Sequence, residues 1–137
     1  MKRVFATVLT LVILCNVLLV PVCAAEQTPI QPRWLDIYSF YIDLDISSGG
    51  TATCVTSVST TTQTNTINLY MQLEKYNGTR WVIVKEWNKT YGPDADMTKY
   101  WAVPSGYDYR VAVSAAVYDQ YGNPVETVGR YSGTIYY

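Results

Sequence analysis

The feature that most constrains this chain is an alternation of apolar and polar side chains with a period of two residues. Such a period places successive side chains on opposite faces of a β-strand, whereas an amphipathic helix repeats about every 3.6 residues. The alternation is longest over residues 107–118, where one face carries Tyr109, Val111, Val113, Ala115 and Val117. No window from residue 34 onward has helical periodicity. The pattern predicts an all-β fold.

Seven segments carry this strand signal, and turn residues separate them. They span residues 38–46, 51–60, 67–74, 80–87, 100–103, 107–118 and 125–136. Asn77-Gly78 predicts a two-residue type I′ hairpin turn, because both residues tolerate a positive φ. The polar stretches 60–65 and 88–97 are interpreted as loops. Strands of this length and spacing predict one antiparallel β-sandwich of two sheets over residues 34–137.

The alternation also predicts which side chains face the core. We expect Tyr38, Trp101 and Val103 to face inward. The faces of segment 80–87 are ambiguous, and a β-bulge or burial on both sides would explain them. Four tyrosines are expected to face outward: Tyr41, Tyr70, Tyr118 and Tyr136.

Pairing of the last two predicted strands around a turn at 121–124 defines a register. It places Tyr118 opposite Glu126, Ser114 opposite Arg130, and Arg110 opposite Thr134. In a sandwich of the usual strand order, Tyr70 lies on the strand next to 107–118.

The first 25 residues are typical of a secretory signal peptide. Two basic residues precede an apolar run over 4–20, and a proline and small residues follow it. We therefore predict secretion, with cleavage after Ala24 or Ala25 and a flexible leader over residues 26–33. After cleavage no membrane span is expected, and the chain is predicted to be released.

Two other interpretations of this segment exist. The apolar run is close to the lower limit for a membrane-spanning helix, about 17–25 residues, so it could be a retained anchor. Cys23 could be the modified residue of a lipoprotein, although Val22 departs from the small residue that such a signal has before its cysteine.

Charge and histidine content exclude several classes of function. Removal of residues 1–25 takes away Lys2 and Arg3, so the formal net charge moves from −1 to −3. Nucleic acid is therefore not expected as a partner, since its binding depends on cationic side chains. The chain has no histidine, which excludes Ser-His-Asp and Cys-His catalysis and His-ligated zinc. We predict no enzymatic activity, no cofactor and no metal.

Cys54 is the one cysteine left after signal cleavage, so no intramolecular disulfide can form in the mature chain. It falls on the inward face of segment 51–60, which predicts a small buried side chain with a free thiol. An intermolecular disulfide is the alternative.

The acidic residues do not form a recognisable catalytic or metal site. Asp43 and Asp45 share one strand face, about 6.5–7 Å apart by the strand rise, where they do not flank a substrate as glycosidase carboxylates do. Asp94 and Asp96 offer fewer oxygens than the about six to eight that Ca²⁺ takes.

Tyrosines are the most informative candidates for binding. A sheet face that carries Tyr70, Tyr118 and Tyr136 could bind a glycan by ring stacking or a protein through tyrosine anchors. Tyrosine also has a high strand propensity and stabilises sheets through cross-strand pairs, so these residues could be structural.

Two resemblances add to this interpretation. Residues 103–113, VPSGYDYRVAV, resemble the corner before the sixth strand of fibronectin type III and immunoglobulin-like domains. This resemblance implies that Tyr109 is a corner tyrosine whose hydroxyl bonds back to the backbone, and that the fold is a seven-stranded immunoglobulin/fibronectin III-like sandwich.

The second resemblance covers nearly the whole mature chain. The segments GGTATC at 49–54, VKEW at 84–87, GYDYRV at 106–111 and VET at 125–127 resemble a family of small secreted proteins from Gram-positive bacteria, a domain of unknown function. It implies secretion and the fold, and it implies no activity and no catalytic residue.

The leading hypothesis is a secreted binding or interaction module for a surface glycan or protein. The alternative is a small secreted effector, such as a toxin-like or immunity-like factor. A hydrolase is disfavoured because the chain has no histidine and no constellation of carboxylates.

Overall fold

A computed structural model describes residues 34–137, which contain eight β-strands and no helix. The strands are β1 (Ile37–Ile46), β2 (Thr51–Thr60), β3 (Thr66–Tyr76), β4 (Trp81–Tyr91), β5 (Asp94–Ala102), β6 (Asp108–Tyr118), β7 (Pro124–Tyr131) and β8 (Ile135–Tyr136). The all-β prediction is confirmed. The predicted signal peptide, 1–25, and leader, 26–33, lie outside the described residues.

The strands form two antiparallel sheets arranged as a sandwich. The smaller sheet has the order β1-β2-β5, and the larger has the order β4-β3-β6-β7 with β8 paired to β6. Their inner faces enclose a core to which β2, β3 and β6 contribute alternate residues. On these strands the buried set is Ala52, Cys54, Thr56, Val58, Thr60, Ile67, Leu69, Met71, Leu73, Tyr109, Val111, Val113, Ala115 and Val117. The period-two alternation of the sequence therefore arises from one buried and one solvated face per sheet.

The segment 88–97 is not a loop, so that prediction is wrong. β4 continues to Tyr91, a short turn at Gly92-Pro93 follows, and β5 begins at Asp94. Ala95 and Met97 are buried, while Asp94 and Asp96 face solvent. These are edge strands with one wet face, and their polar composition conceals the strand signal.

The β3–β4 hairpin forms where Asn77-Gly78 predicts it, but the type I′ turn is wrong. Only Gly78 has a positive φ, 94°. Tyr76 pairs with Trp81, and the Asn77 amide donates to the Arg80 carbonyl at 3.0 Å. Asn77 Oδ1 instead accepts hydrogen bonds from the backbone amides of residues 79 and 80, which stabilises a four-residue loop.

Irregularities in strand pairing explain two of the inward or ambiguous assignments. The β1–β2 register shifts between Ile37 and Ser39, so Tyr38 is 63% exposed instead of facing inward. Leu73 of β3 pairs with Lys85 of β4, whereas the next residue of β3, Glu74, pairs with Ile83. This bulge on β4 confirms the irregularity predicted for segment 80–87.

Trp101 lies on the inward face of β5, beside the buried Ala52, as predicted, but its ring is not fully covered. It is 40% exposed near the end of β5, where it packs on the Lys85 ammonium at 4.6 Å, whereas Val103 is buried as predicted.

The predicted last strand, 125–136, is divided in two, and its register is wrong by one residue over β7. β7 ends at Tyr131, and the two-residue β8 then pairs with the start of β6, which makes eight strands instead of seven. Tyr118 lies opposite Pro124, Val117 opposite Glu126, and Ser114 opposite Gly129. The cause is a register shift next to Tyr118, and a slip of one residue moves the side chains of β7 to the other face. In β8, Tyr136 lies opposite Asp108, which is the register predicted for this part of the segment.

A buried polar network holds the β2–β3 connection. Asp36 is 8% exposed and accepts hydrogen bonds from Thr61, Thr62 and Asn65. Asn65 is 4% exposed, so the segment 60–65 is not solvated throughout as predicted.

Candidate binding face on the larger sheet

The outer face of the larger sheet carries aromatic and polar side chains that hydrogen bonds and cation–π contacts hold in place. Because β3 and β6 pair in register, Tyr70 lies beside Ser114 and Gln72 lies beside Ala112. Beyond β6, Ser114 pairs with Gly129 and Ala112 pairs with Tyr131 of β7. These two neighbouring rows form the centre of the face.

A groove of about 160 Å³ lies across these rows. Its lining consists of Tyr70, Gln72, Ala112, Val113, Ser114, Gly129, Arg130 and Tyr131. The floor is made of small residues on β6 and β7, and Tyr70 and Tyr131 lie on the strands on either side of β6. Two strand spacings separate these tyrosines, about 10 Å across the sheet. The groove is a shallow channel whose lining includes both tyrosines.

Tyr70 is held in position by its neighbours. Its hydroxyl donates a hydrogen bond to the Glu86 carboxylate on β4, and Gln72 Nε2 donates to the Tyr70 oxygen at 3.0 Å. The hydrogen bond to Glu86, together with desolvation and the charge of Glu86, raises the pKa of Tyr70. The phenol therefore stays neutral at physiological pH and donates towards Glu86.

Tyr131 is held from one side by Arg110. The guanidinium carbon of Arg110 lies 4.1 Å from the centre of the Tyr131 ring and 4.2 Å from that of Trp81. Arg110 Nε also donates to Glu74 Oε2 at 2.7 Å, so its charge is paired. We call Trp81, Glu74, Arg110 and Tyr131 the ladder. Arg110 does not line the groove, whereas Tyr131 does. The Tyr131 side chain is 61% exposed.

A second concave region lies beyond the ladder, at the end of the sandwich. It is lined by Tyr76, Asn77, Gly78, Gly106, Tyr107, Asp108 and Tyr136, and we call it the end cluster. Tyr76 packs on Trp81 with 5.5 Å between the ring centres, which joins the end cluster to the ladder. The Lys75 ammonium lies 4.1 Å from the centre of the Tyr107 ring.

The structure separates the three tyrosines of the predicted binding face. Tyr70 lines the groove and Tyr136 lines the end cluster, where it is 72% exposed. Tyr118 lies opposite Thr66 at the other end of β6 and is only partly exposed. By the rise of a strand, Tyr118 and Tyr136 are about 30 Å apart along β6, so the trio does not form one site. Tyr41 is exposed on the smaller sheet.

Sequence reasoning missed Tyr131 and Trp81 as members of the face. The wrong β6–β7 register put Arg130 outward in place of Tyr131. Arg130 instead sends Nη1 to the Phe40 carbonyl at 2.9 Å. The β4 bulge left the face of Trp81 undecided. The turn at 121–124 was recognisable in the sequence, but the register shift beside it had no sequence signal.

The two structural candidates lie away from this face. Tyr109 is fully buried and its hydroxyl donates to the Pro104 carbonyl at 2.6 Å. Burial and the neighbouring Tyr107 raise its pKa. Cys54 is also fully buried, and desolvation raises the pKa of its thiol to about 12. Neither group is placed to react with a solute.

The acidic pairs lie on the outer face of the smaller sheet. Asp43 lies beside Val55 on β2, and Asp96 of β5 lies beside Ser57. Within residues 34–137 no three carboxylate or thiol groups come together in a geometry that could hold a metal ion.

The chain matches no protein-family model, and no curated protein is significantly similar to it. None of residues 34–137 belongs to a helix long and apolar enough to cross a membrane.

Proposed function

We propose that this chain is a secreted, non-enzymatic β-sandwich module that binds an extracellular glycan or protein through the outer face of the larger sheet. The groove between Tyr70 and Tyr131 carries this proposal. Both rings are held by specific partners, Glu86 and Arg110 respectively. Side chains that are fixed before binding lose little conformational freedom when a ligand arrives, which favours affinity.

The strand order and one hydrogen bond support a specific type of β-sandwich for this module. A three-stranded sheet β1-β2-β5 facing a sheet β4-β3-β6-β7 fits an immunoglobulin/fibronectin III-like topology, in which β6 is the sixth strand. The hydrogen bond from Tyr109 to Pro104, five residues upstream, fits the tyrosine corner of such domains. Secretion follows from the signal peptide predicted over residues 1–25, and the resemblance to a secreted bacterial family stays a prediction.

A non-enzymatic role is favoured by the composition and by the candidate site itself. The chain has no histidine to act as a general base. The charged groups beside the groove are occupied structurally, because Arg110 is paired with Glu74 and Glu86 accepts from Tyr70. The channel thus offers ring surfaces and hydrogen-bonding groups and has no free acid–base pair.

A binding screen tests this proposal. The secreted chain would be applied to a glycan array and used as bait against cell-surface extracts, with Tyr70→Ala and Tyr131→Ala in parallel. Tyr121→Ala is the matched control, because Tyr121 is 80% exposed in the β6–β7 turn, away from the groove. We expect each groove variant to lose at least about tenfold in affinity, or about 1.4 kcal/mol, and the control to bind normally. A ligand that binds both groove variants as well as the parent chain would refute the site.

A further inference from the structure

The groove lies on the outer face of the larger sheet, and the end cluster follows it along β6 to the end of the sandwich. The groove is centred on residues 112–114 of β6, Arg110 of the ladder follows, and Asp108 of the end cluster comes next. Tyr136 pairs with Asp108, so it lies on the strand beside the same line. With a rise of about 3.3 Å per residue, the two concave regions are centred about 15 Å apart.

We propose that these two regions are subsites of one extended site that binds a neutral polysaccharide chain running along β6. This inference rests on the proposed function and assigns the class of ligand and the way it lies. It has three supports: the chemistry of the two regions, the pairing of the charges around them, and the position of the site on the face of the sheet.

Each region combines tyrosine rings with hydrogen-bonding groups. The groove has Tyr70 and Tyr131 together with Gln72 and Ser114. The end cluster has Tyr76, Tyr107 and Tyr136 together with Asn77 and Asp108. A sugar ring has an apolar face of C–H groups and a rim of hydroxyls. An amphipathic phenol with polar neighbours complements both features of such a ring.

The size of the groove agrees with this class of ligand. The groove has a volume of about 160 Å³. This volume is below the about 300–1,000 Å³ of pockets that enclose a whole small-molecule ligand. A site of this kind holds one ring of a longer chain, and further affinity has to come from a second contact along that chain.

The basic side chains along the line are paired or directed elsewhere, and Asp108 is the one acidic residue that lines the two regions, which favours a neutral ligand. Arg110 binds Glu74 and lies between two rings. Arg130 donates to the Phe40 carbonyl. The Lys75 ammonium packs on the ring of Tyr107, which lines the end cluster together with Asp108. An acidic or basic polymer would find no run of unpaired opposite charge along this path.

The position on the sheet disfavours an extended peptide. A peptide that adds to a sheet uses the unpaired backbone groups of an edge strand. The line follows β6, which is paired on both sides by β3 and by β7 and β8. Its backbone therefore has little to offer a peptide, whereas its outward side chains can contact a polysaccharide.

Affinity electrophoresis of the secreted chain tests the class of ligand. The gels contain dextran, xylan, mixed-linkage β-glucan or galactomannan as neutral probes. Isothermal titration then uses the disaccharide, tetrasaccharide and hexasaccharide of each retarding polymer. We expect the hexasaccharide to bind at least about tenfold more tightly than the disaccharide, because only the longer chain reaches from the groove to the end cluster.

Two substitutions separate the subsites. Tyr131→Ala should weaken both oligosaccharides, whereas Tyr136→Ala should weaken only the hexasaccharide, and Tyr121→Ala should weaken neither. Equal affinities for short and long chains, or hexasaccharide binding that is unaffected by Tyr136→Ala, would overturn the two-subsite inference and leave the groove as a binding site.

Two further outcomes concern the ligand class. If none of the four polymers retards the chain, the assignment to neutral polysaccharides is overturned. Capture of a protein that depends on Tyr70 and Tyr131 would overturn the polysaccharide assignment and still support the proposed binding function. Absence of any Tyr70- and Tyr131-dependent ligand in the array and the extracts is the separate result that defeats the proposed function.

Discussion

At the scale of single residues, Tyr109 connects the β5–β6 corner to the core. Its ring is fully buried, and its hydroxyl reaches back to the Pro104 carbonyl. The aromatic ring and the hydroxyl thus do different things: the ring fills the core and the hydroxyl fixes the course of the loop before β6.

Tyr109→Phe separates these two contributions. The ring stays buried and one hydrogen bond is lost, so we expect the free energy of unfolding to fall by about 1 kcal/mol. Urea denaturation followed by tryptophan fluorescence measures it. Tyr121→Phe, at an exposed turn, is the control and should be neutral. A loss for Tyr109→Phe no larger than that of the control would show that the hydroxyl contributes nothing to stability.

Asp36 is the residue whose titration should affect the fold. Burial acts to raise its pKa, but hydrogen bonds from Thr61, Thr62 and Asn65 outweigh this effect and hold the pKa below the ordinary 3.8. A carboxylate with a lowered folded-state pKa stabilises the fold fully above its unfolded pKa. That contribution is lost as the pH falls from about 4 through the folded-state pKa.

Asp36→Asn should therefore lower stability at neutral pH and flatten the acid limb of the stability curve. Because hydrogen bonds to a charged acceptor are weakened, we expect a loss of about 1–3 kcal/mol at pH 7. Urea unfolding at a series of pH values from neutral to acidic measures both effects. Asp45→Asn, on an exposed position of β1, should leave the curve unchanged. An Asp36→Asn curve that runs parallel to that of the parent chain would contradict the role of this carboxylate.

At the scale of elements, Glu126 of β7 ties down the start of β1. Its carboxylate accepts from the backbone amides of Leu35, Asp36 and Ile37 at 2.9, 2.8 and 2.6 Å. These amides would otherwise lack partners at the beginning of an edge strand. One side chain of the larger sheet thus holds the first strand of the smaller sheet.

Glu126→Gln removes the charge and one of the two acceptor oxygens. We expect faster hydrogen exchange at the amides of residues 35–37, with little change in the middle of β6, because the opening is local. Exchange measured by NMR or mass spectrometry resolves the two regions. Glu86→Gln, which changes an exposed carboxylate on β4, serves as the control. Unchanged exchange at residues 35–37 would mean that other contacts hold this end of β1.

The elements also show where sequence reasoning succeeds. The central strands β2, β3 and β6 have one fully buried face, so their alternation is strict and predictable from the sequence. Burial constrains the side chains of edge strands less strictly. The predicted lengths of β4 and β5 are too short because their side chains between residues 88 and 97 are mostly polar. Bulges are the other source of error, since one inserted residue reverses the faces without changing the composition.

The candidate site was only partly predictable for the same reason. Tyr70 lies on a central strand, and its outward position follows from the alternation. Tyr131 lies on β7, after the register shift beside Tyr118, and was assigned to the wrong face. The contacts that fix these rings, such as Arg110 between Trp81 and Tyr131, join residues far apart in sequence and have no local signal.

At the scale of the whole molecule, the two outer faces differ in chemistry. The smaller sheet presents four aspartates, Asp43, Asp45, Asp94 and Asp96, among threonines, serines and the exposed Tyr41 and Tyr100. The larger sheet presents rings, amides and paired charges. The proposed binding site is built on strands that also form the core, so the fold sets its backbone geometry. Binding should therefore need no large rearrangement.

The measurement that tests the central claim most directly is an NMR titration of the ¹⁵N-labelled chain with the hexasaccharide of a retarding polymer. The account predicts the largest amide shifts on the outer face of the larger sheet, at Tyr70, Ser114 and Tyr131, with smaller shifts at Asp108 and Tyr136. Amides in the smaller sheet, such as Val55 and Thr98, should not move. Shifts confined to the smaller sheet would contradict the account.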